Sequence, residues 1–278
     1  MRSAGHWLRH LVLLCGALWL LLPIYVAIVA ASHDARDLLG NFPWLPGHRL
    51  FANLHHILFE GLPSAIPVWR MLLNSLLMAL GISLGKLVIS ILSAYAIVYF
   101  RFPGRMIAFW LIFVTLMLPV EVRFFPTYRI AADLHLLNSY AGLILPLIAS
   151  ATATFLFRQF FMTLPQDLVD ASRLDGAGPM RFFFDMALPL SRTNIAALFV
   201  LEFVYGWNQY LWPLLTTTHP GYETVVMGMQ GVISAANGFA VPQWNQVMTV
   251  ALLALVPPVL VVLMMQRVFI KGFTETGK

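Results

Sequence analysis

The sequence predicts an all-α, polytopic membrane protein with six transmembrane helices, and three observations lead to this fold class. Of the 278 residues, 60% are apolar and only 10% are Asp, Glu, Lys or Arg. A soluble domain carries about 25% charged residues, and the mean hydropathy here is +0.80. The apolar runs are long and unbroken, whereas strands of a transmembrane barrel alternate apolar and polar residues. Helices are therefore the better interpretation.

Six stretches are apolar over about 20 residues, the length that a bilayer-crossing helix needs. The first also resembles a signal peptide, because two arginines precede it and small residues follow it. Its apolar run exceeds the about 7–15 residues of a signal core, which favours a retained helix. The six stretches predict a single transmembrane domain over 1–278. The predicted spans are 11–31, 71–98, 106–127, 140–161, 194–217 and 245–268.

The basic residues predict the orientation of the spans, since Lys and Arg are enriched in cytoplasmic loops. Eleven lie on the side of both termini: Arg2, Arg9, Arg101, Arg105, Arg158, Arg173, Arg181, Arg192, Arg267, Lys271 and Lys278. Five lie on the other side: Arg36, Arg49, Arg70, Arg123 and Arg129. Both termini are therefore expected in the cytoplasm, and the external loop 32–70 is expected to contain a short helix near Leu50–Phe59. The net charge of +5 is explained by basic loops, so no nucleic-acid partner is expected.

Few residues suggest covalent or metal chemistry. The one cysteine, Cys15, excludes an internal disulfide and a cysteine-based metal cluster. The stretch from Gly81 to Leu87 resembles a phosphate-binding loop, but it has three spacers instead of four and lacks the hydroxyl that holds Mg²⁺. Gly81 and Gly85 instead form a GxxxG pair, which favours close helix packing.

The segment 158–192 predicts two short helices on the cytoplasmic side. Pro165 can begin the first, and Gly176 can end it in the left-handed conformation. Pro179 can begin the second, and Pro189 limits it. From these residues alone, the segment is either a linker on the membrane surface or a docking element for a cytoplasmic partner. The apolar faces are expected at Leu168, Ala171 and Leu174, and at Phe182, Phe183, Met186 and Leu190.

A motif in this segment resembles the signature EAA–x3–G–x9–I–x–LP of permease subunits in binding-protein-dependent ABC importers. Asp170-Ala171-Ser172 is followed after three residues by Gly176, and nine residues later by Met186-Ala187-Leu188-Pro189. Asp170, Ser172 and Met186 depart from the signature, and Asp for Glu keeps the charge but shortens its reach. Further stretches resemble carbohydrate-type permeases: Asn74-Ser75, Tyr99–Pro103 and Trp207–Pro213. Those most similar to importers of sn-glycerol 3-phosphate are Leu116–Pro126, Ser150–Leu164 and Val204–Leu215.

The resemblance implies a type I ABC importer permease fold in a bacterial inner membrane, surrounded by lipid. An external binding protein would deliver cargo, a second permease subunit would complete the path, and two cytoplasmic ATPase subunits would hold ATP and Mg²⁺. This chain would then bind no cofactor and have no ATPase site. The implied cargo is sn-glycerol 3-phosphate or a related glycerophosphodiester, and the alternative is a neutral sugar or polyol. The resemblance assigns ATPase coupling to a cytoplasmic loop over about 162–192. Its coupling residues are Asp170, Ala171, Ser172, Asp175, Gly176, Ala177, Met186, Leu188 and Pro189.

Two other classes of function have less support from the sequence. An intramembrane hydrolase is disfavoured because the sequence contains neither HExxH nor GxSxG. A self-contained secondary transporter usually needs more spans or internal inverted repeats, and the sequence shows neither.

Six residues are candidates for the transport path or its gate. Lys86 is expected near the middle of the bilayer, where a cation needs a partner or a wet cavity; it either pairs with a residue such as Glu202 or attracts an anionic cargo. Glu121, with its neighbour Arg123, follows Pro119 in a segment that Pro119 and Pro126 are expected to make irregular; it either contacts the outer leaflet and the partner permease or belongs to an external gate. The other four are expected on one helix face, which suits a sugar ligand, an interfacial belt or interhelical hydrogen bonds. These four are Tyr205, Asn208, Gln209 and Trp212.

Overall fold

The computed structural model describes residues 2–61, 66–118, 120–236 and 243–275, and the regular elements in these ranges are all helical. This confirms the all-α prediction for the described part of the chain. A π-helical turn, Phe183–Ala187, joins α9 to α10. In chain order the helices are α1 (Arg2–Ala31), α2 (Leu50–Phe59), α3 (Val68–Tyr99), α4 (Arg105–Val114), α5 (Val120–Asp133), α6 (Tyr140–Ile144), α7 (Ala151–Thr163), α8 (Gln166–Leu174), α9 (Pro179–Phe182), α10 (Leu188–Leu190), α11 (Arg192–Trp207), α12 (Leu211–Thr216), α13 (Val225–Ala236) and α14 (Trp244–Glu275).

Within the described ranges, three helices are long and apolar enough to cross a membrane in one piece: α3, Arg9–Ala31 of α1 and Trp244–Gln266 of α14. They contain the predicted spans 71–98 and 11–31 and most of the predicted span 245–268. Counting each of two bent helix pairs as one span gives up to five spans among the described residues, so the sixth crossing stays a prediction. The bent pairs are Tyr140–Leu147 with Ala151–Thr163, at 47°, and Pro179–Leu190 with Arg192–Trp207, at 71°.

The predicted span 106–127 is interrupted, at the place where its prolines indicate an irregular segment. Helix α4 ends at Val114, and the backbone of Leu118 is extended, with a ψ of 120°. The next residue in the sequence is Pro119, which lies outside the described residues, and a residue that precedes proline is disfavoured in the helical conformation. The chain resumes as α5, so this predicted span consists of two separate helices.

Two other predicted spans are also interrupted. Over 140–161 the helical segment that starts with α6 stops at Leu147, and α7 starts after Ser150, whose hydroxyl accepts the N–H of Ala153. Over 194–217 the first helix, α11, ends at Trp207 and α12 begins at Leu211. Hydropathy does not reveal such breaks, because the residues on both sides are equally apolar.

The chain divides into two compact units, Met1–Leu72 with Glu223–Val256 and Leu73–Tyr222 with Pro257–Lys278. The single domain expected over 1–278 therefore stays a prediction. Each unit contains segments that are distant in the sequence.

The first unit contains α1, the predicted external loop and α2, whose bounds match the prediction. The Asn53 side chain of α2 donates hydrogen bonds to the carbonyls of Ala31 and His33, at 2.8 and 3.1 Å. The Ser32 hydroxyl accepts the N–H of Gly47 at 2.7 Å. These bonds hold the loop against the end of α1. Helix α13 of this unit was not among the predicted elements.

Two apolar clusters form core in the described part of the second unit. One cluster, the aromatic cluster, joins α3, α7, α9 and α11 around Tyr95, Phe157, Phe161, Phe182 and Phe183. The other cluster packs Met78, Ile82, Leu143 and Trp212 together. Because the aromatic cluster includes residues of the predicted docking segment, it fixes that segment to three longer helices.

Large apolar side chains are exposed along α1 and α14. A soluble monomer rarely exposes contiguous apolar surface of this extent, whereas a membrane protein turns such side chains toward lipid. Examples are Leu11, Leu13, Leu18 and Leu20 on α1, and Leu260, Leu263 and Met264 on α14.

The GxxxG pair lies at a close helix contact, as the sequence predicts. A Cβ added at Gly81 would lie 2.6 Å from Cδ1 of Ile144, and one added at Gly85 would lie 2.5 Å from Cγ2 of Ile148. Real Cβ atoms do not approach other atoms this closely, so both positions exclude larger residues unless the neighbouring isoleucine moves.

We expect Gly85→Leu to lower the melting temperature of the detergent-solubilised complex, because overpacking costs about 1–3 kcal/mol. The matched control is Gly16→Leu on α1, where an added Cβ meets no atom within 4 Å. A second change, Ile148→Ala, should recover part of the loss. Equal melting temperatures for the Gly85 and Gly16 variants would contradict this packing.

Candidate functional site

A buried ion pair lies within the second unit. Nζ of Lys86, on α3, lies 2.7 Å from Oε2 of Glu202, on α11, and both residues are buried. The Ser150 hydroxyl donates to the other carboxylate oxygen at 3.2 Å. The ring of Tyr205 lies against the ammonium group, 3.6 Å from Nζ to the ring centroid, a distance at which a cation–π attraction operates. The pairing with Glu202 that the sequence suggests is therefore observed.

The same ion pair lines a cavity of about 370 Å³, here called the polar cavity. Its wall is formed by α3, α5, α11 and α12, by the turn after α4 and by the start of α7. Since Lys86 is both paired and at this wall, its structural role does not exclude a role in the path. The polar lining residues are Lys86, Thr115, Arg123, Thr127, Ser150, Thr152, Glu202 and Tyr205.

The helix breaks explain why a polar cavity exists at this place. Leu118, after α4, and Ser150, before α7, both line the cavity, and each lies where the helical backbone is interrupted. Interrupted backbone leaves polar groups without intrahelical partners. Within a membrane such groups are tolerated only where protein or water satisfies them, so the breaks favour a hydrated cavity.

Two of the four residues predicted in the fifth span line the polar cavity, namely Tyr205 and Trp212. Trp212 is fully buried, and its Nε1 donates to the carbonyl of Gly142 at 3.1 Å. The prediction that all four share one helix face is wrong, because α11 ends before Asn208. Asn208 is exposed, and Nε2 of Gln209 donates to the carbonyl of Tyr205 at 3.1 Å.

The structure tests the remaining candidate, Glu121, only in part. The backbone of Glu121 belongs to the first turn of α5, but its side chain lies outside the described residues. Arg123, two residues onward, lines the polar cavity. Arg123 was not among the six candidates. Its position two residues after Glu121, near a helix-breaking proline, was the signal available in the sequence.

The segment that resembles the EAA signature folds as predicted into two short helices, here called the coupling loop (165–190). Helix α8 begins after Pro165, and Gly176 has a φ of +72°, a left-handed conformation that glycine adopts without strain. Helix α9 begins at Pro179 and continues through the π-helical turn to Leu190. The chain then turns by 71° into α11.

The coupling loop is anchored by one buried face. Val169 and Ser172 are buried on α8, and Phe182, Phe183 and Ala187 are buried on the second helical segment. The Ser172 hydroxyl donates to the carbonyl of Val169 at 2.8 Å, so this departure from the signature leaves no hydroxyl unsatisfied. The Tyr95 hydroxyl, on α3, donates to the carbonyl of Pro179 at 2.6 Å.

The buried face of α8 is not the apolar face that the sequence predicts. Ala171 and Leu174 are exposed, Leu174 to 89%, and Leu168 is only half-buried. On the second segment, Met180 and Phe184 are also exposed. The apolar residues of α8 therefore form part of an outer surface instead of the core, because the inner contacts are made by the residues beside them.

The outer surface of the coupling loop combines these apolar side chains with ion pairs. Asp170 lies 3.4 Å from Arg173, and Arg181 lies 3.3 Å from Asp185, each measured between side-chain N and O atoms. Of the residues assigned to ATPase coupling, Asp170, Ala171, Asp175 and Gly176 are exposed, Ala177, Met186, Leu188 and Pro189 are partly buried, and Ser172 is buried.

Residues 86–275 match the family model described as a binding-protein-dependent transport system inner membrane component. The chain belongs to this family. The match begins at Lys86 and includes the polar cavity and the coupling loop. Family membership identifies the chain as an inner membrane component of a binding-protein-dependent transport system, and the hydrolase and secondary-transporter alternatives do not fit it.

Known relatives are similar to this chain over nearly its whole length. The chain is 55% identical to the sn-glycerol-3-phosphate transport system permease protein UgpE of Escherichia coli O1:K1 / APEC, over 97% of this chain and 96% of the relative. It is 56% identical to the protein of the same name from Yersinia pestis bv. Antiqua (strain Antiqua), with the same coverage.

A solved structure confirms the fold. A chain in the crystal structure of a bacterial ABC transporter involved in the import of the acidic polysaccharide alginate matches with a TM-score of 0.79. The match covers 95% of this chain and 96% of that chain, at 18% sequence identity. At this identity the likeness shows a shared fold, and it supports the predicted ABC importer permease architecture.

Proposed function

We propose that this chain is a permease subunit of an ATP-driven ABC importer and forms half of the translocation path for sn-glycerol 3-phosphate or related glycerophosphodiesters. The observation that carries the proposal is the 55% identity to UgpE over 97% of the chain. The cations that line the polar cavity support an anionic cargo.

A neutral sugar or polyol is the second candidate cargo. The observation in its favour is that Tyr205 and Trp212 line the same cavity, since aromatic faces suit the apolar faces of sugar rings. The two candidates differ in charge, so a direct comparison of uptake separates them.

The importer that we propose contains a second permease subunit, two cytoplasmic ATPase subunits and an external binding protein. ATP and Mg²⁺ bind to the ATPase subunits, and this chain binds no cofactor and has no ATPase site. Both termini lie in the cytoplasm, which places the coupling loop on the side of the ATPase. The loop's exposed apolar side chains, with their flanking ion pairs, form a surface that suits a protein partner.

The coupling loop would transmit motion because it is attached rigidly to the path. The aromatic cluster connects it to α3 and α11, and these helices carry Lys86 and Glu202 at the cavity wall. A displacement of the loop by the ATPase would therefore move the helices that line the cavity, as a rigid-body transition.

The cargo is tested by expressing the complete importer in a bacterium that lacks uptake of sn-glycerol 3-phosphate. Cells should accumulate labelled sn-glycerol 3-phosphate, and excess unlabelled maltose should not compete. Accumulation of labelled maltose without any of the phosphate ester would overturn the proposed cargo and favour the neutral alternative. Cells without the gene for this chain provide the background.

A further inference from the structure

We propose that the polar cavity is a subsite for the phosphate group of the cargo, with Lys86 and Arg123 as its cationic contacts. This inference rests on the proposed function, because it assigns a place within this chain to the anionic end of that cargo. It assigns contact with the cargo to this subunit itself, and not only to the partner permease.

The charge balance at the cavity wall favours an anion. Among the side chains that the structure describes, two cations, Lys86 and Arg123, and one carboxylate, Glu202, line it. Lys86 is matched by Glu202, while the described side chains place no carboxylate within ion-pairing distance of Arg123. A phosphate monoester carries about −1.5 to −2 charges at neutral pH. Lys86 is buried and Arg123 is exposed, so the attraction to the Lys86 ammonium is the one that burial strengthens relative to bulk water.

The ion pair leaves Lys86 able to bind a second anion. An ammonium group has three donors, and the bond to Glu202 at 2.7 Å uses one of them. The carboxylate, itself bonded to Ser150, holds the ammonium in place. Glu202 therefore acts as a positioning residue, and Lys86 can donate to a phosphate oxygen without giving up its partner.

The start of α7 adds donors to the same wall. The Ser150 hydroxyl accepts the N–H of Ala153, whereas the N–H groups of the first helical residues have no intrahelical acceptor. Two of those residues, Ala151 and Thr152, line the cavity, and the positive end of a helix favours a phosphate. The volume of about 370 Å³ falls within the range of about 300–1,000 Å³ for small-molecule sites.

Uptake by the purified complete importer in liposomes tests the subsite. The probe is labelled sn-glycerol 3-phosphate, supplied outside with saturating binding protein, with ATP inside. We expect Arg123→Gln to lower uptake at least tenfold while ATP hydrolysis stays within threefold of wild type, and Arg123→Lys to retain at least a third of the uptake. The matched control is Arg129→Gln: Arg129 lies on the same helix and is exposed like Arg123, but it is not part of the described lining.

The role of Lys86 must be tested with a variant that does not leave a buried charge without a partner. In Lys86→Met/Glu202→Gln both charges are removed together, so the complex should assemble. Uptake should stay at least tenfold below wild type. Wild-type uptake in this double variant would show that the pair is structural only and would overturn the assignment of Lys86.

Three results overturn the proposals separately. Uptake by Arg123→Gln within twofold of Arg129→Gln overturns the subsite but leaves the proposed function in place. No uptake of sn-glycerol 3-phosphate by the wild-type importer overturns the proposed function itself. A defect present in vesicles that contain phosphatidylglycerol, but absent in vesicles of phosphatidylcholine alone, would assign the site to a lipid headgroup and not to the cargo.

Discussion

Glu202→Leu is expected to destabilise the assembled importer strongly, because it leaves the Lys86 ammonium buried without its carboxylate. Both residues are less than a tenth exposed. Removing one partner of a buried ion pair costs about 3–5 kcal/mol, more than most single substitutions. We expect a lower yield of complex and a melting temperature in detergent that falls by about 5 °C or more.

The double variant Lys86→Met/Glu202→Leu is the control for this prediction. Replacing both partners of a buried pair by apolar residues is often neutral or stabilising, so the melting temperature should return to near the wild-type value. If Glu202→Leu alone melts like the wild type, the observed pair does not hold α3 and α11 together.

Gly176→Val is expected to uncouple ATP hydrolysis from uptake while the complex still inserts and assembles. The φ of Gly176 is +72°, a conformation that costs an L-residue about 1–2 kcal/mol and that β-branched residues rarely adopt. Gly176 is exposed, and an added Cβ meets no atom within 4 Å. The valine should therefore distort the turn between the two loop helices, where the ATPase would dock, and uptake should fall at least tenfold.

Gly104→Val is a closely matched control for Gly176→Val. Gly104 has a φ of +80°, and an added Cβ there also meets no atom within 4 Å. It precedes α4, outside the coupling loop, in a loop on the same predicted side of the membrane. Uptake within threefold of wild type in Gly104→Val, beside a tenfold loss in Gly176→Val, separates a docking defect from general backbone strain. Full uptake in Gly176→Val would contradict the docking assignment.

The parts of the structure that the sequence could predict depend on local chemistry. The two loop helices follow from Pro165, Gly176 and Pro179, because each residue favours one backbone conformation whatever surrounds it. The GxxxG contact follows from the absence of side chains at Gly81 and Gly85. The pair of Lys86 and Glu202 could be suggested because a membrane offers a buried cation few other partners.

The parts that could not be predicted depend on tertiary contacts. The residues on both sides of Ser150 are equally apolar, so their hydropathy predicts one continuous helix. In the structure Ser150 caps the start of a second helix, α7. The buried face of α8 is set by its contacts with the aromatic cluster. A helix of nine residues is too short for its own pattern to decide between an inner face and a partner-binding face. For the same reason Leu174 was expected on the apolar face, although the structure exposes it.

The coupling role of the loop is tested most directly by the number of sn-glycerol 3-phosphate molecules accumulated per ATP hydrolysed by the complete importer in liposomes. We expect accumulation only with ATP on the cytoplasmic side and binding protein on the other. We also expect this ratio to fall at least tenfold in Gly176→Val and to stay near wild type in Gly104→Val. Accumulation without ATP, or an unchanged ratio in Gly176→Val, would contradict the claim that the coupling loop links ATP hydrolysis to transport through this chain.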